Sequence, residues 1–246
     1  MDDLRQALTT VAATPRLLVA SDFDGTLAPI VNNPADARAL PGSAATLSAL
    51  AQLRRTTAAL VSGRALGDLA RLSGAPEGVI LIGSHGAEFD TGFEHEIDAE
   101  LLAGIRDALT DIADRHPGVT VEPKPASVAL HVRNAAPDHA QSALDAARLA
   151  AQSWEAELTE GKAVLEFAVI STDKGAAIDL VRSRENASAV VYFGDDVTDE
   201  KAFRRLRESD VGVKVGPGDT LARFRVDAPA DVADALELLL AERRGG

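Results

Sequence analysis

The sequence predicts an α/β fold, a parallel sheet covered by helices and carrying a smaller inserted α+β segment, on three observations. Short β-like apolar runs alternate with longer Ala- and Leu-rich helical stretches, the pattern of repeated strand–helix units. Nearly all of those runs are continuously apolar, as expected for strands buried on both faces. Residues 96–170 break this pattern with strands that alternate apolar and polar side chains.

Taken in order, the core strands are expected at 16–21, 57–61, 79–82, 189–193 and 211–215. Helices are expected at 42–54, 65–73, 174–184, 199–209 and 230–243. Together they describe a Rossmann-like core made of residues 1–95 and 171–246. At 246 residues the chain exceeds a typical domain of about 100–200 residues, which suits such a core with an inserted lobe.

The insert reads as αββαββ. One helix spans about 99–115 and another 138–153, each followed by two strands, with a tight Gly161-Lys162 turn joining the last hairpin. Val119, Val121 and Pro123 oppose Thr120, Glu122 and Lys124, while Val128, Leu130 and Val132 oppose Ser127, Ala129, His131 and Arg133. With helices on the apolar side, the other side would present Glu122, Lys124, His131, Arg133 and Glu166. A solvated face of an ordinary half-exposed sheet gives the same pattern.

Composition narrows the function classes. The chain has 25 Lys+Arg against 38 Asp+Glu, a net charge of −13, which argues against gripping nucleic acid or an anionic membrane. With 46% hydrophobic residues it can bury a core. Zero cysteines exclude disulfides, thiolate metal sites and a cysteine nucleophile. No apolar run approaches the roughly 18 residues of a membrane helix. The opening residues, Met1 to Gln6, lack the basic and apolar regions of a secretory signal, so a cytoplasmic location is expected.

Two acid clusters carry the strongest chemical signal. Leu17 to Ala20 lead into Ser21-Asp22-Phe23-Asp24-Gly25-Thr26, a buried strand ending in two carboxylates, and ligands of open parallel sheets sit at such ends. Two neighbouring acids are costly unless a cation or proton is shared, which makes Mg2+ the natural partner. A calcium loop fits Asp22, Asp24 and Thr26 but fails at Leu27, where glycine is needed, and at Asn33, where a bidentate glutamate is needed. The second cluster, Gly194-Asp195-Asp196-Val197-Thr198-Asp199, also follows a buried strand. On its own it could be an acidic helix start. Paired with the first it reads as metal ligation, with Asp195 supplying a direct carboxylate and Asp196 and Asp199 holding the ligands or their waters.

Two shorter motifs lie between these clusters. Ser62, in Ser62-Gly63-Arg64, could hold phosphate oxygens with nearby backbone amides, and Lys174, in Thr172-Asp173-Lys174-Gly175, could neutralise both phosphate and a carboxylate. Each alone is a common turn or helix start. Glycine-rich phosphate loops, dinucleotide fingerprints, zincin pairs and serine-hydrolase elbows are absent at the required spacings.

In their order, Asp22-x-Asp24-Gly-Thr, Ser62, Lys174 and Gly194-Asp195-Asp196-x-x-Asp199 resemble the haloacid-dehalogenase superfamily of phosphatases, and the insert resembles its type-2 cap. Over nearly the whole chain the sequence is similar to the trehalose-6-phosphate phosphatases. That similarity rests on Gly83-Ser84-His85-Gly86-Ala87-Glu88, on Glu122-Pro123-Lys124 with Ser127, His131 and Arg133, and on the stretch from Gly194 to Phe203. Two departures stand out: Ser84 replaces a frequent Asn, and Glu166-Phe167-Ala168-Val169 lacks an Arg-Pro that often follows the glutamate.

The resemblance implies a Mg2+-dependent, monomeric phosphatase for a small sugar phosphate. Asp22 would be the nucleophile, Asp24 the acid and then the base, and Asp22, Asp195 and the Asp24 backbone carbonyl the metal ligands. Asp24 would be kept neutral by the charge of Asp22. Ser62 and Lys174 would take phosphoryl charge. Arg64, His85, Gly86, Glu122, Lys124, His131, Arg133 and Glu166 would contact substrate. Sucrose, mannosylglycerate or hexose phosphates, or a non-catalytic sensor of sugar phosphates, are the rival readings.

Overall fold

The computed structural model describes residues 2–93, 97–170 and 173–245. The expected junction residues 95, 96 and 171, and Thr172 of the lysine motif, lie outside the described residues. Two compact units divide the chain, Met1–Gly92 with Thr172–Gly246, and Phe93–Ser171.

The first unit begins α1 (Asp2–Ala12), β1 (Leu17–Ser21), α2 (Pro41–Ala51), β2 (Thr56–Val61), α3 (Leu66–Ser73) and β3 (Ile80–Ile82). A two-stranded ladder of β4 (Glu88–Phe89) and β5 (Gly92–Phe93) leads along the chain into the second unit. That unit comprises α4 (Ala99–Ala113), β6 (Thr120–Pro123), β7 (Ser127–His131), α5 (Pro137–Ala151), β8 (Glu157–Gly161) and β9 (Val164–Ala168). The chain then returns through α6 (Lys174–Glu185), β10 (Ala189–Gly194), α7 (Val197–Arg205), β11 (Val211–Val215), β12 (Phe224–Val226) and α8 (Pro229–Gly245).

Six strands form one parallel sheet in the order β12-β11-β10-β1-β2-β3. The chain moves from β1 toward β3 and later from β10 toward β12, so strand order reverses between β1 and β10, where ligands of such sheets bind. Side chains alternate across the sheet. Leu17 and Val19 pack with Leu8 of α1, Leu47 and Leu50 of α2 and Leu236 and Leu239 of α8, whereas Leu18 and Ala20 pack with Ile178 of α6 and Phe203 of α7. Each such fully buried Leu or Val contributes about 1.5–3 kcal/mol.

Several elements depart from expectation, the short β4–β5 ladder among them. Helix α1, with Leu4, Leu8 and Val11 buried on one stripe, and the edge strand β12 were not anticipated. Helix α7 spans Val197–Arg205 rather than 199–209. Asp196 and Asp199 form a capping box that starts it early. Its end is set by Asp210, whose Oδ2 accepts the Arg207 N–H at 2.7 Å and so takes that donor out of a helical ladder.

Asp210 also anchors the sheet end remote from the acid clusters. Its Oδ1 accepts from Val190 N at 2.9 Å, and its Oδ2 accepts from Arg182 Nη2 of α6. Both residues are buried, and Nε and Nη1 of Arg182 have no hydrogen-bond partner among the described residues. Asp210→Ala would leave an unpaired buried guanidinium, so a loss of about 3–5 kcal/mol is expected in urea unfolding. A change under about 1 kcal/mol would contradict that account.

The second unit is an antiparallel sheet, β6-β7-β9-β8, with Ile105 and Leu109 of α4 and Ala143 and Ala147 of α5 packed on Val128, Leu130, Leu165 and Phe167. The last hairpin turns at Lys162 and Ala163, not Gly161-Lys162, because Gly161 pairs with Val164. A Cβ on Gly161 would lie 2.7 Å from Val164 Cγ1, so any other residue there requires the valine side chain to shift.

Candidate active site

The site of the first unit follows from strand register. Ser21 of β1 pairs with Phe193 of β10, and the Asp22 N–H donates to the Phe193 carbonyl at 2.9 Å. Asp22 and Asp195 therefore leave adjacent strands at the same sheet edge. Lys174, the first residue of α6 behind an Asp173 N-cap, is buried and donates from Nζ to Asp22 Oδ1 and to Asp199 Oδ1, each at 2.8 Å. Carboxylate oxygens of Asp22, Asp195 and Asp199 lie within 4.8 Å of one another.

Three carboxylates facing one ammonium leave negative charge uncompensated. Burial pushes the Asp22 carboxyl well above its ordinary range against the pull of Lys174. Burial, reinforced by the Asp199 charge, raises Asp195 to about 6. Burial works against the Lys174 charge, but Asp199 and Asp22 outweigh it and hold the ammonium firmly protonated. An all-oxygen set with excess negative charge is the donor chemistry of a hard divalent cation.

The glycine of the first motif belongs to this arrangement. Gly25 has φ +77°, and a Cβ there would lie 2.0 Å from Asp195 Oδ2. Any side chain would displace the carboxylate.

Asp199 differs from the other two acids because its acceptor positions are used. Oδ1 receives Lys174 Nζ at 2.8 Å and Tyr192 OH at 2.6 Å, while Oδ2 receives the N–H groups of Asp195 and Asp196 at 3.0 Å each. A carboxylate offers about four lone-pair sites, so Asp199 braces the loop, and Asp22 and Asp195 are the residues that fit direct ligation. Asp196 is exposed and caps α7, accepting from Val197 N at 2.7 Å.

Asp24 points into a different interaction. Its carboxylate accepts from Arg64 Nε and Nη2, both at 2.6 Å, and Arg64 Nη2 also reaches the Pro34 carbonyl at 2.9 Å. This bidentate pair, more than any other contact, raises the Arg64 pKa. The structure pairs these two residues with each other, a contact that the sequence reading did not assign, because adjacent loops place a fork-shaped donor opposite a carboxylate.

Ser62, just past β2, is buried, and its Oγ accepts from Arg64 N at 3.2 Å. His85 sits at φ 58° in a turn tied to that loop, donating from its N–H to the Ser62 carbonyl at 2.9 Å, with its ring against Gly63. Gly86 is buried beside the Asp173 carbonyl. Glu88, which sequence reasoning did not single out, secures the turn: its Oε2 accepts from Leu66 N at 2.8 Å and Ser84 Oγ at 3.2 Å. Tyr192 and Lys214 were also missed. Lys214 Nζ donates to the Asp195 carbonyl, and its signal was a lysine inside the otherwise apolar run Val211 to Val215.

In the second unit, β6, β7 and β9 bring Glu122, Lys124, His131 and Glu166 to the sheet face opposite its helices. Lys124 Nζ donates to Glu166 Oε2 at 2.8 Å, Ser127 Oγ to Glu166 Oε1 at 2.6 Å, and His131 Nε2 lies 2.8 Å from Glu122 Oε2. Arg133 lies two residues beyond β7 and is exposed.

A parallel sheet whose switch point gathers Asp22, Lys174, Asp195 and Asp199 defines a haloacid-dehalogenase-like, Rossmann-type fold. A structure of the C. albicans trehalose-6-phosphate phosphatase C-terminal domain shares it at a TM-score of 0.79, 22% identity and 97% coverage of both chains. The trehalose-6-phosphate phosphatase of Aspergillus fumigatus matches at 0.72, 26% identity, 96% of this chain and 97% of that one. Residues 20–231 match the trehalose-phosphatase family model, and the chain belongs to the trehalose-phosphatase family. The trehalose-phosphate phosphatase of Mycobacterium avium is 37% identical over 97% of this chain, which spans 66% of that relative's length. Among the described residues no helix is long and apolar enough to cross a membrane.

Proposed function

We propose that the chain is a cytoplasmic, monomeric phosphatase that hydrolyses trehalose 6-phosphate to trehalose and phosphate. The observation that carries this reading is Lys174 bridging Asp22 and Asp199 beside Asp195, in a chain of the trehalose-phosphatase family. An Asp22 oxygen attacks phosphorus and forms an aspartyl-phosphate as the ester P–O bond to the sugar breaks. Asp24 protonates the departing sugar oxygen and then takes a proton from the water that cleaves the acyl phosphate. Because both Asp24 carboxylate oxygens are engaged by Arg64, that pair must open for Asp24 to reach the leaving sugar oxygen. Lys174 and Ser62 stabilise the phosphoryl oxygens.

Mg2+, held by the Asp22 and Asp195 side chains and the Asp24 carbonyl, would supply the remaining positive charge for those oxygens. The second unit serves as a cap, with Glu122, Lys124, His131, Arg133 and Glu166 for sugar hydroxyls. Arg64, His85 and Gly86 serve from the first unit. Sites built to hydrogen-bond hydroxyls reject analogues lacking them by about 10⁴–10⁵.

Phosphate release from trehalose 6-phosphate, sucrose 6-phosphate and glucose 6-phosphate, with and without chelator, tests the reading. The expected result is clear preference for the trehalose ester, loss of turnover in EDTA and recovery with Mg2+. Equal rates on all three esters would defeat the substrate assignment. No release from any would favour a sensor.

A further inference from the structure

Tyr192 is a buried hydroxyl with no role in the chemistry above. It lies on β10, its ring edge-on to Phe203 at 5.6 Å within an apolar layer, and its OH donates to Asp199 Oδ1 at 2.6 Å. Burial and the Asp199 charge raise its pKa, so it remains a donor. Without that hydroxyl, Lys174 would be the sole donor to Asp199 Oδ1 among the described residues, and a lone pair would open on an acid that has a carboxylate oxygen within 4.8 Å of oxygens of Asp22 and Asp195.

Ligand number separates the common hard cations. Mg2+ demands near-octahedral geometry, keeps several waters and takes one or two carboxylates, whereas Ca2+ accepts six to eight oxygens in flexible geometry. A third available carboxylate therefore favours the larger ion.

We infer that Tyr192 is a positioning residue that occupies Asp199 and withholds it from the bound cation, so that the site presents two carboxylates and selects Mg2+ over Ca2+. This rests on the metal-site reading above.

The test is cation titration of the full chain without substrate, followed by calorimetry and by thermal unfolding. Tyr192→Phe is expected to tighten Ca2+ binding relative to Mg2+ by about tenfold. Ca2+ should also inhibit Mg2+-supported turnover at about tenfold lower concentration. Phe203→Leu, which loosens the same packing without touching the hydroxyl, should leave the ratio unchanged. An unaltered Ca2+/Mg2+ ratio in Tyr192→Phe, or an equal shift in Phe203→Leu, would overturn the inference. Failure of the unsubstituted chain to bind either ion would instead overturn the metal site, and the inference with it.

Discussion

Asp22→Asn is expected to lower phosphate release by about 10⁴-fold or more on the proposed mechanism, in which Asp22 is the covalent nucleophile and its removal costs on that order. The substitution keeps the side chain's size and an oxygen that can accept from Lys174 Nζ, now 2.8 Å from Asp22 Oδ1. The backbone bond from Asp22 N to the Phe193 carbonyl is untouched. One of three crowded carboxylates is also removed, which relieves the repulsion that, with burial, holds Asp22 in an unfavourable charge state. A folded but inactive protein is therefore the expected outcome, checked by phosphate release beside thermal unfolding. Mass spectrometry of the quenched parent enzyme should find phosphate on Asp22. Residual activity within tenfold of the parent would remove Asp22 from the nucleophile's role.

Lys174→Met is expected to cost both activity and stability. The ammonium is buried and bridges two buried acids, so its loss strands Asp22 and Asp199 without a cation. Breaking a buried pair by removing one partner destabilises by about 3–5 kcal/mol. A divalent ion should replace part of the missing charge. Binding at a hundredfold over Kd returns about 2.7 kcal/mol by mass action. Urea unfolding in EDTA should thus show a large loss that Mg2+ partly restores, whereas Asp210→Ala, at the far end of the sheet with the acid site intact, should gain from the ion only what the parent gains, so that its deficit stays unchanged. Equal unfolding midpoints for Lys174→Met and the parent in EDTA would show that the buried acids do not depend on this lysine.

The parts of the fold legible in the sequence are those where one physical pattern dominates. Continuous apolar runs such as Val190 to Phe193, short and rich in β-branched and aromatic residues, suit strands buried on both faces, and this one appears where expected. Alternation in Val128, Leu130, Phe167 against Lys124, Glu166 similarly marks a sheet with one covered face. Helix α1 carried a legible signal, Leu4, Leu8 and Val11 at helical spacing, that went unread. The three-residue edge strand β12 carried almost none, since a short strand with one neighbour has too few residues to show a period.

The site divides along the same line. Residue types and strand ends were local information: Asp22, Asp24 and Asp195 stand where apolar runs stop, because an ionised group inside a buried strand is costly unless it finds a partner, as Lys214 does. What the sequence by itself determined is therefore the set of acids, the serine and the lysine available for phosphoryl chemistry. Only the tertiary structure decided their partners. Register between β1 and β10 put Asp22 beside Asp195, α6 delivered Lys174 to two acids, and Arg64 became the ion-pair partner of Asp24. Tyr192 and Lys214 joined from strands read as apolar packing. The reason is range: backbone pattern is set by neighbours along the chain, whereas a charge chooses its partner by distance in space, which only the packed sheet defines.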